Sequence, residues 1–429
     1  MKVLRSLQGL RFRKRGMYRL IERCRICGGE VLEPILDLGA QALTGVFPRS
    51  TNEPVSQGPL DLVKCHGEGG CGLVQLRESY DPDEMYGQNY GYRSGLNASM
   101  VAHLRDVVSS VCRRVELGPG DLVIDIGSND STLLQGYAVQ GLERLGVDPT
   151  GRKFSSFYPP GIALLPEFFT ASSVRGAVGP RKAKALTSIA MLYDLEEPLR
   201  FFAEVREVLH DEGVWVFEQS YLPTMLRMNA YDTVCQEHLE YYGLSQIRYM
   251  TERAGFKIVG VELNAVNGGS FCVAVAKRES SHPEAVDAVD ALLEEEDPLR
   301  GLGPYEEFRT RVFRHRDDLR ALLLDLKARG ESVLGYGAST KGNVILQFCG
   351  ITPELLPAIA EVNPDKYGRV TPGTGIPIVS EDEAKSRNPR NLLVLPWHFR
   401  ENLIERERDY LRSGGRLIFP LPRIETYRG

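Results

Sequence analysis

Apolar residues along this chain fall into two rhythms, short continuous runs and longer stretches at helical spacing. Leu122-Val123-Ile124-Asp125-Ile126, Leu145-Gly146-Val147, residues 185–191 and Val214-Trp215-Val216-Phe217 are runs of the first kind. Parallel strands buried on both faces read this way. Residues 201–209 and 246–254 carry helical spacing. Residues 256–263 and 270–276, on either side of Asn267-Gly268-Gly269, predict the last strands of a seven-stranded sheet. The alternation restarts near residue 331, with strands predicted at 331–336, 357–362 and 392–396, and with 416–421 closing a second sheet. A charged helix over 305–330, apolar at Phe308, Val312, Leu319, Leu322, Leu323 and Leu326, supports that sheet. The acidic, proline-punctuated stretch 282–298 reads as a surface helix or linker. Ahead of all this, residues 36–48 alternate in the way of short strands and turns.

These rhythms divide the chain into a basic extension (1–20), a first module (21–85) and two α/β domains (86–285 and 286–429). A length of 429 residues suits two or three domains of ~100–200 residues each. The formal charge of −5 argues against nucleic acid as a partner. No apolar run approaches the ~18 residues of a membrane span, so no membrane partner is expected. Lys2, Arg5, Arg11, Arg13, Lys14 and Arg15 accompany no continuous apolar run, so the N-terminus does not read as a secretory signal. The expectation there is a disordered extension, or an early start codon with Met17 as the true beginning. Four of the eight cysteines crowd before residue 72. Without a secretory signal, that favours a metal site over disulfides and a cytoplasmic location.

Cys24-Arg25-Ile26-Cys27-Gly28 is a knuckle of two thiols, and Cys65 and Cys71 form a wider second pair around His66-Gly67-Glu68-Gly69-Gly70. Two pairs closing on one ion give the four-thiolate arrangement of structural zinc, with His66 as an alternative ligand. Such a closed site leaves no position for a reactive water. Tyr80, Tyr86, Tyr90 and Tyr92 follow in a connector that packs or forms one wall of a cleft.

In the middle domain the strand carrying Asp125 meets Gly127-Ser128-Asn129-Asp130 at a tight turn before a helix, and the next strand ends in Asp148. This arrangement holds an adenosine-type cofactor, with amides at the turn and a carboxylate for the ribose. A single glycine with acidic neighbours suits the sulfonium and amino-acid tail of S-adenosylmethionine (SAM) better than the pyrophosphate of NAD. Ala190 and Met191 end a later strand and are small or apolar, as beside a cofactor. In the last domain Tyr336-Gly337-Ala338-Ser339-Thr340-Lys341-Gly342-Asn343 repeats strand, turn and helix start, now with a lysine and hydroxyls that match phosphate. Glu361 and Asn363 end the following strand, where ribose or base would make contact. Trp397-His398-Phe399-Arg400 end the one after. Alone, this domain would also fit NAD.

One stretch, Tyr231-Asp232-Thr233-Val234-Cys235-Gln236-Glu237-His238-Leu239-Glu240-Tyr241-Tyr242, concentrates reactive side chains. With the cysteine pairs, Cys71-Gly72-Leu73-Val74-Gln75-Leu76, the turn at Gly127 and the motifs around Lys341 and Trp397, it makes the chain after residue 20 resemble a family. That family is the zinc-containing, SAM-dependent C-methyltransferases of nucleotide-linked 4-keto-deoxysugars. The resemblance implies a zinc module, a central class I (Rossmann-like) SAM methyltransferase domain and a C-terminal Rossmann-like domain for the nucleotide sugar, dTDP-linked. It implies methyl transfer to a carbon beside the ketone, C-3, through an enolate, in branched deoxysugar and antibiotic biosynthesis.

His238 would be the base, since imidazole titrates near neutrality. Glu237 or Glu240 would orient it, and Tyr241 and Tyr242 would donate to the enolate oxygen. Lys341 would take the diphosphate, and Trp397 or Phe399 would stack on sugar or base. Ser131 departs from the family in standing where a glycine usually follows the turn. Cys235 and Gln236 stand where a Tyr-His pair often precedes Glu-His, and residues 189–194 lack a histidine that some members carry. The rival readings are an NAD-dependent oxidoreductase acting on a nucleotide sugar and a non-catalytic zinc scaffold. A monomer or small homo-oligomer is expected.

Overall fold

The computed structural model describes residues 18–81, 85 and 92–429; most of the basic extension, and Tyr86 and Tyr90 of the connector, lie outside these residues. Among the described residues the chain forms four sheets. The first module contributes β1 (Tyr18–Leu20), β2 (Leu32–Ala42), β3 (Gln57–Cys65), β4 (Val74–Leu76) and β5 (Glu78–Tyr80). β1 pairs antiparallel with β5, so residues 18–20 join this module rather than the extension expected from sequence. β2, β3 and β4 pair antiparallel in turn, and Cys65 at the end of β3 lies opposite Leu32.

Helix α1 (Ala98–Arg114) starts where the Asn97 side chain accepts from the Ser99 amide. It buries Met100, Leu104, Val107, Val108 and Val111 as one stripe. Then follow β6 (Leu122–Ile126), β7 (Glu143–Val147), β8 (Ile162–Leu165), β9 (Ala183–Ile189), α2 (Pro198–Val208), β10 (Leu209–Ser220), β11 (Glu240–Tyr241), α3 (Leu244–Ala254), β12 (Phe256–Asn264) and β13 (Ser270–Lys277). The central sheet runs β8-β7-β6-β9-β10-β13-β12, parallel from β8 to β10 and with β13 antiparallel to both neighbours. This is the class I SAM methyltransferase arrangement. The strand order reverses between β6 and β9, and ligands of such sheets bind at the carboxyl ends of the strands there. Trp215 anchors one face of the sheet, its ring within 4.6 Å of Phe202 and Phe217.

β11 does not join this sheet. It pairs antiparallel with β4, as the outer strand of the first module's sheet.

The stretch expected as surface helix or linker contains α4 (Val286–Glu296), and α5 (Gly303–Ala328) is the long supporting helix. The last sheet comprises β14 (Val333–Tyr336), which precedes α6 (Thr340–Phe348), then β15 (Ile359–Glu361), β16 (Ile378–Ser380), β17 (Asn391–Val394), β18 (Arg416–Phe419) and β19 (Glu425–Arg428). Its order is β16-β15-β14-β17-β18-β19, parallel except for β19. The edge is therefore β19, not the 416–421 segment expected to close the sheet. Again the order reverses beside the first strand, which brings the turn after β14 next to Trp397 after β17. No helix of the described residues is long and apolar enough to cross a membrane.

Candidate active site and metal centre

The thiols of Cys24, Cys27, Cys65 and Cys71 all lie within 4.8 Å of one another. Four sulfurs 2.3 Å from one tetrahedral ion would stand ~3.8 Å apart, so the residues present fit zinc. The knuckle closes through Gly28 N–H to Cys24 C=O (2.9 Å), with Gly28 in the left-handed region (φ 73°) that glycine enters freely. His66 is not in the cluster; its Nδ1 faces Lys64 Nζ at 3.4 Å instead.

At the central switch point Gly127 takes φ 75°, and a Cβ there would stand 3.2 Å from the Met191 side chain. Asn129 and Ser131 are also left-handed, which is the reason glycine suits the position Ser131 occupies. Asp148 accepts from the amides of Asn129 (2.7 Å) and Thr150 (2.7 Å), which fixes its carboxylate over the turn. Ser128 hydrogen-bonds the Tyr158 hydroxyl at 2.8 Å. Ser94 N–H and Gly95 N–H donate to the side chains of Asn129 (3.0 Å) and Asp130 (2.9 Å), laying the end of the connector over the turn. Carboxylates dominate this cradle, and a sulfonium with an ammonium tail fits it. Ala190 holds a strained φ of 54°, and its amide donates to Glu218 C=O. Both Asp148 oxygens are thus engaged within the turn, Oδ1 also accepting from the Thr150 hydroxyl at 2.6 Å, and Asp125 is withdrawn further still. Its carboxylate is buried inside the sheet, bonded to the Thr187 hydroxyl and pushed up to about 7 by that burial and by Asp148.

The reactive stretch lies between the sheets. His238 Nδ1 is 2.7 Å from the Thr233 carbonyl, so Nδ1 carries the proton and donates, leaving Nε2 unprotonated. Burial, with the Lys341 ammonium adding to it, presses the imidazole down to about 4. Tyr193 packs on the ring at 4.2 Å. A small cavity lined by Tyr193, Ser220, Leu222, Thr233, His238, Glu240 and Tyr241 opens beside it.

Of the two acids expected to orient His238, neither does so; the Thr233 carbonyl has that place. Glu237 is packed against Gly45, where a Cβ would stand 2.5 Å from its Oε1. Glu240 faces Arg25 at 3.7 Å and is raised well above its ordinary range by burial. Tyr241 donates to Thr233 C=O at 3.3 Å, on the His238 side. Tyr242 belongs to the core shared by Cys24, Cys65, Leu73 and the central sheet, whereas Tyr241 belongs to the other core, so the structure separates the two phenols. Gln236 serves as a tie: it accepts from Thr44 N–H (3.4 Å) and donates to Gln41 C=O (3.1 Å).

Several expected substrate contacts have other partners. Tyr336 is buried and donates to Glu407 at 2.5 Å, away from the turn. Glu361 accepts the amides of Ala338 (2.9 Å), Val362 (2.7 Å) and Asn363 (2.8 Å). Its oxygens are therefore engaged by backbone rather than presented to a ribose. Ser339 caps α6 by accepting from Gly342 N–H at 3.0 Å. Asn363 accepts from Asp365 N–H, and Asn343 donates to Thr44 C=O at 2.7 Å. Trp397 is 4% exposed and its Nε1–H donates to Asp232 at 2.7 Å, which makes it an anchor rather than an open stacking face. His398 and Phe399 pack on each other at 4.3 Å, and burial takes His398 down to about 3. Lys341 reaches Asn267 C=O at 2.8 Å. Sequence reasoning missed Tyr193, Thr233, Asp232 and Asn267. Of these, only Asp232 carried a signal, as a carboxylate inside the reactive stretch.

Fold and site together define a zinc-containing, SAM-dependent methyltransferase. Residues 24–86 match the family model described as "Putative zinc binding domain", and residues 265–422 match "C-methyltransferase C-terminal domain". C-methyltransferase NovU of Streptomyces niveus is 31% identical over 413 residues, which cover 94% of this chain and 96% of that protein. The chain belongs to this C-methyltransferase family. Among solved structures, the CcbJ methyltransferase of Streptomyces caelestis is 14% identical at a TM-score of 0.31, over 41% of this chain and 89% of that one. An O-methyltransferase family protein of Burkholderia thailandensis is 16% identical at a TM-score of 0.33, over 43% of this chain and 57% of that one. Both likenesses are too loose to bear on the reaction. Membership sets aside the oxidoreductase and scaffold readings.

Proposed function

We propose that the protein methylates a carbon beside the ketone, C-3, of a nucleotide-linked 4-keto-deoxysugar, dTDP-linked, with His238 as the base. The observation that carries this reading is the tautomer of His238. Its Nδ1–H is spent on the Thr233 carbonyl, so a neutral Nε2 lone pair is available for a carbon-bound proton. When bound, SAM supplies an electrophilic methyl group at the end of the central sheet. This chain's part is to make the carbon nucleophilic. His238 takes the proton, and Tyr241 stands on the same side with its hydroxyl donating to the Thr233 carbonyl that also orients the imidazole. The C-terminal sheet, with its turn at Gly337 and the helix start at Lys341, is the part we assign to the nucleotide sugar.

The test is incubation with SAM and a panel of dTDP-linked keto sugars, followed by mass spectrometry. A methyl gained by a 4-keto-deoxyhexose, and lost with His238→Asn, is the expected result. Methylation only of substrates without a ketone would overturn it. Full transfer by His238→Asn would remove the base assignment.

A further inference from the structure

Phosphate chemistry at the α6 start points Lys341 towards a diphosphate, but the side chain lies elsewhere. Its Nζ crosses to the hairpin between β12 and β13 and donates to Asn267 C=O. Asn267 is left-handed at φ 55°, and a Cβ on the neighbouring Gly268 would touch the Trp397 ring at 3.3 Å. That indole holds Asp232 Oδ2, while Asp232 Oδ1, fully buried, accepts nothing among the described residues. Burial works against the charged forms of both Asp232 and Lys341, and the charge of each offsets part of that cost for the other. A cation already balanced by a buried carboxylate draws a distant dianion weakly. It remains a strong local partner for one nascent negative charge.

A Cβ on Gly45 would stand 2.5 Å from Glu237 Oε1 and 3.9 Å from Thr340 Oγ1, and one on Gly268 would stand 3.9 Å from His398 Cβ, so the residues on either side of Lys341 and of its Asn267 partner pack against those that adjoin His238. Glu237 Oε2 and His398 Nδ1 are also buried without partners among the described residues. Polar atoms left open around a cation, beside the base, describe a site for one polar group at the reacting carbon.

Resting on the keto-sugar reading above, we propose that Lys341 stabilises the enolate oxygen, and that Asp232, held by Trp397, is its positioning residue. As His238 Nε2 takes the proton, the carbon–hydrogen pair becomes the carbon–carbon double bond. The carbonyl π pair moves onto oxygen, where Lys341 meets it. No further reactant is needed.

Proton exchange isolates this step from methyl transfer. A dTDP-linked 4-keto-deoxyhexose in deuterated water, with S-adenosylhomocysteine completing the site, should gain deuterium at the carbon beside the ketone. Lys341→Met should slow exchange at saturating sugar by about 100-fold or more, the usual loss for one oxyanion partner, while dTDP affinity stays near that of the wild type. Asp232→Asn should slow the saturated rate without raising the half-saturating sugar concentration. Unchanged exchange at saturation in Lys341→Met, with dTDP binding much weakened, would return Lys341 to the diphosphate and overturn the proposal alone. A wild type that exchanges no keto sugar would overturn the substrate reading and this proposal with it. If Lys341→Met no longer binds S-adenosylhomocysteine, Lys341→Arg decides. Slowed exchange in that variant supports the assignment, and wild-type exchange opposes it.

Discussion

At the scale of single residues, His238 owes its chemistry to neighbours that are not conspicuous in the sequence. A backbone carbonyl sets its tautomer, and burial, with Lys341 adding to it, sets its charge. With the neutral ring as the proposed base, activity should persist as pH falls past the ordinary histidine value of 6.5 and decline only near 4. A pH profile of kcat/KM, which reports the free enzyme, checks this. Lys341→Met should move the acid limb upward, since removing a cation eases protonation. Gly127 gives a second test at this scale. Alanine there must hold a left-handed φ, costing about 1–2 kcal/mol, and must push Met191 aside. Calorimetry should find weaker S-adenosylhomocysteine binding, and urea unfolding a stability loss of that order. Gly127, Asp148 and the cysteines were legible from the sequence because turn chemistry and ligand spacing are local. The Asp232–Trp397 and Tyr193–His238 contacts were not, because each joins segments that only the packed sheets bring together.

At the scale of elements, β11 is the decisive piece and the least legible. Two residues have no readable period, and Glu240–Tyr241 are a strand only because the edge of β4 is open to them. Their partner strand lies in the cysteine-bearing module, so the expected division into successive domains says nothing of this pairing. Arg25, inside the knuckle, makes the join specific. It donates to Leu76 C=O at 2.6 Å, Glu78 C=O at 2.8 Å and the Ser79 hydroxyl at 2.8 Å, while facing Glu240 across 3.7 Å. Arg25→Met would leave those carbonyls and a buried carboxyl group without their cation. A loss of about 3 kcal/mol is expected, because buried acceptors left without a donor cost about 1–3 kcal/mol each before relaxation, together with reduced methyl transfer. Breaking the exposed Arg175–Glu207 pair should cost no more than about 1 kcal/mol. Urea midpoints of Arg25→Met and Arg175→Met compare the two directly. The pairing also explains Tyr242: next to a strand docked on the zinc module, it joins the core of Cys24, Cys65 and the central sheet rather than that of Tyr241.

At the scale of the whole molecule, no one sheet owns the site. Tyr231, Val234, Cys235 and Tyr241 belong to a core shared by the first module and the last sheet, whereas Tyr242 belongs to one shared by the cysteine cluster and the central sheet. Of the four cysteines, Cys24 and Cys27 lie between β1 and β2, Cys65 ends β3 and Cys71 lies between β3 and β4, and β4 carries β11. Gln246 Nε2 adds a second tie, donating to Cys71 C=O at 2.8 Å. Removing the metal would leave four crowded thiols to reprotonate and relax, and would free the β4 edge that aligns the reactive stretch. The prediction is that chelation abolishes methyl transfer while S-adenosylhomocysteine, whose proposed site is the turn after β6, still binds. Zinc should restore the activity. Hydrogen exchange gives the physical readout. Amides of 74–76 and 239–241 should lose protection together on chelation, while those of β6 and β9 keep theirs. An apo-enzyme with full activity, or with β11 still protected, would mean that side-chain packing alone holds the strand and that the metal has no part in shaping the site.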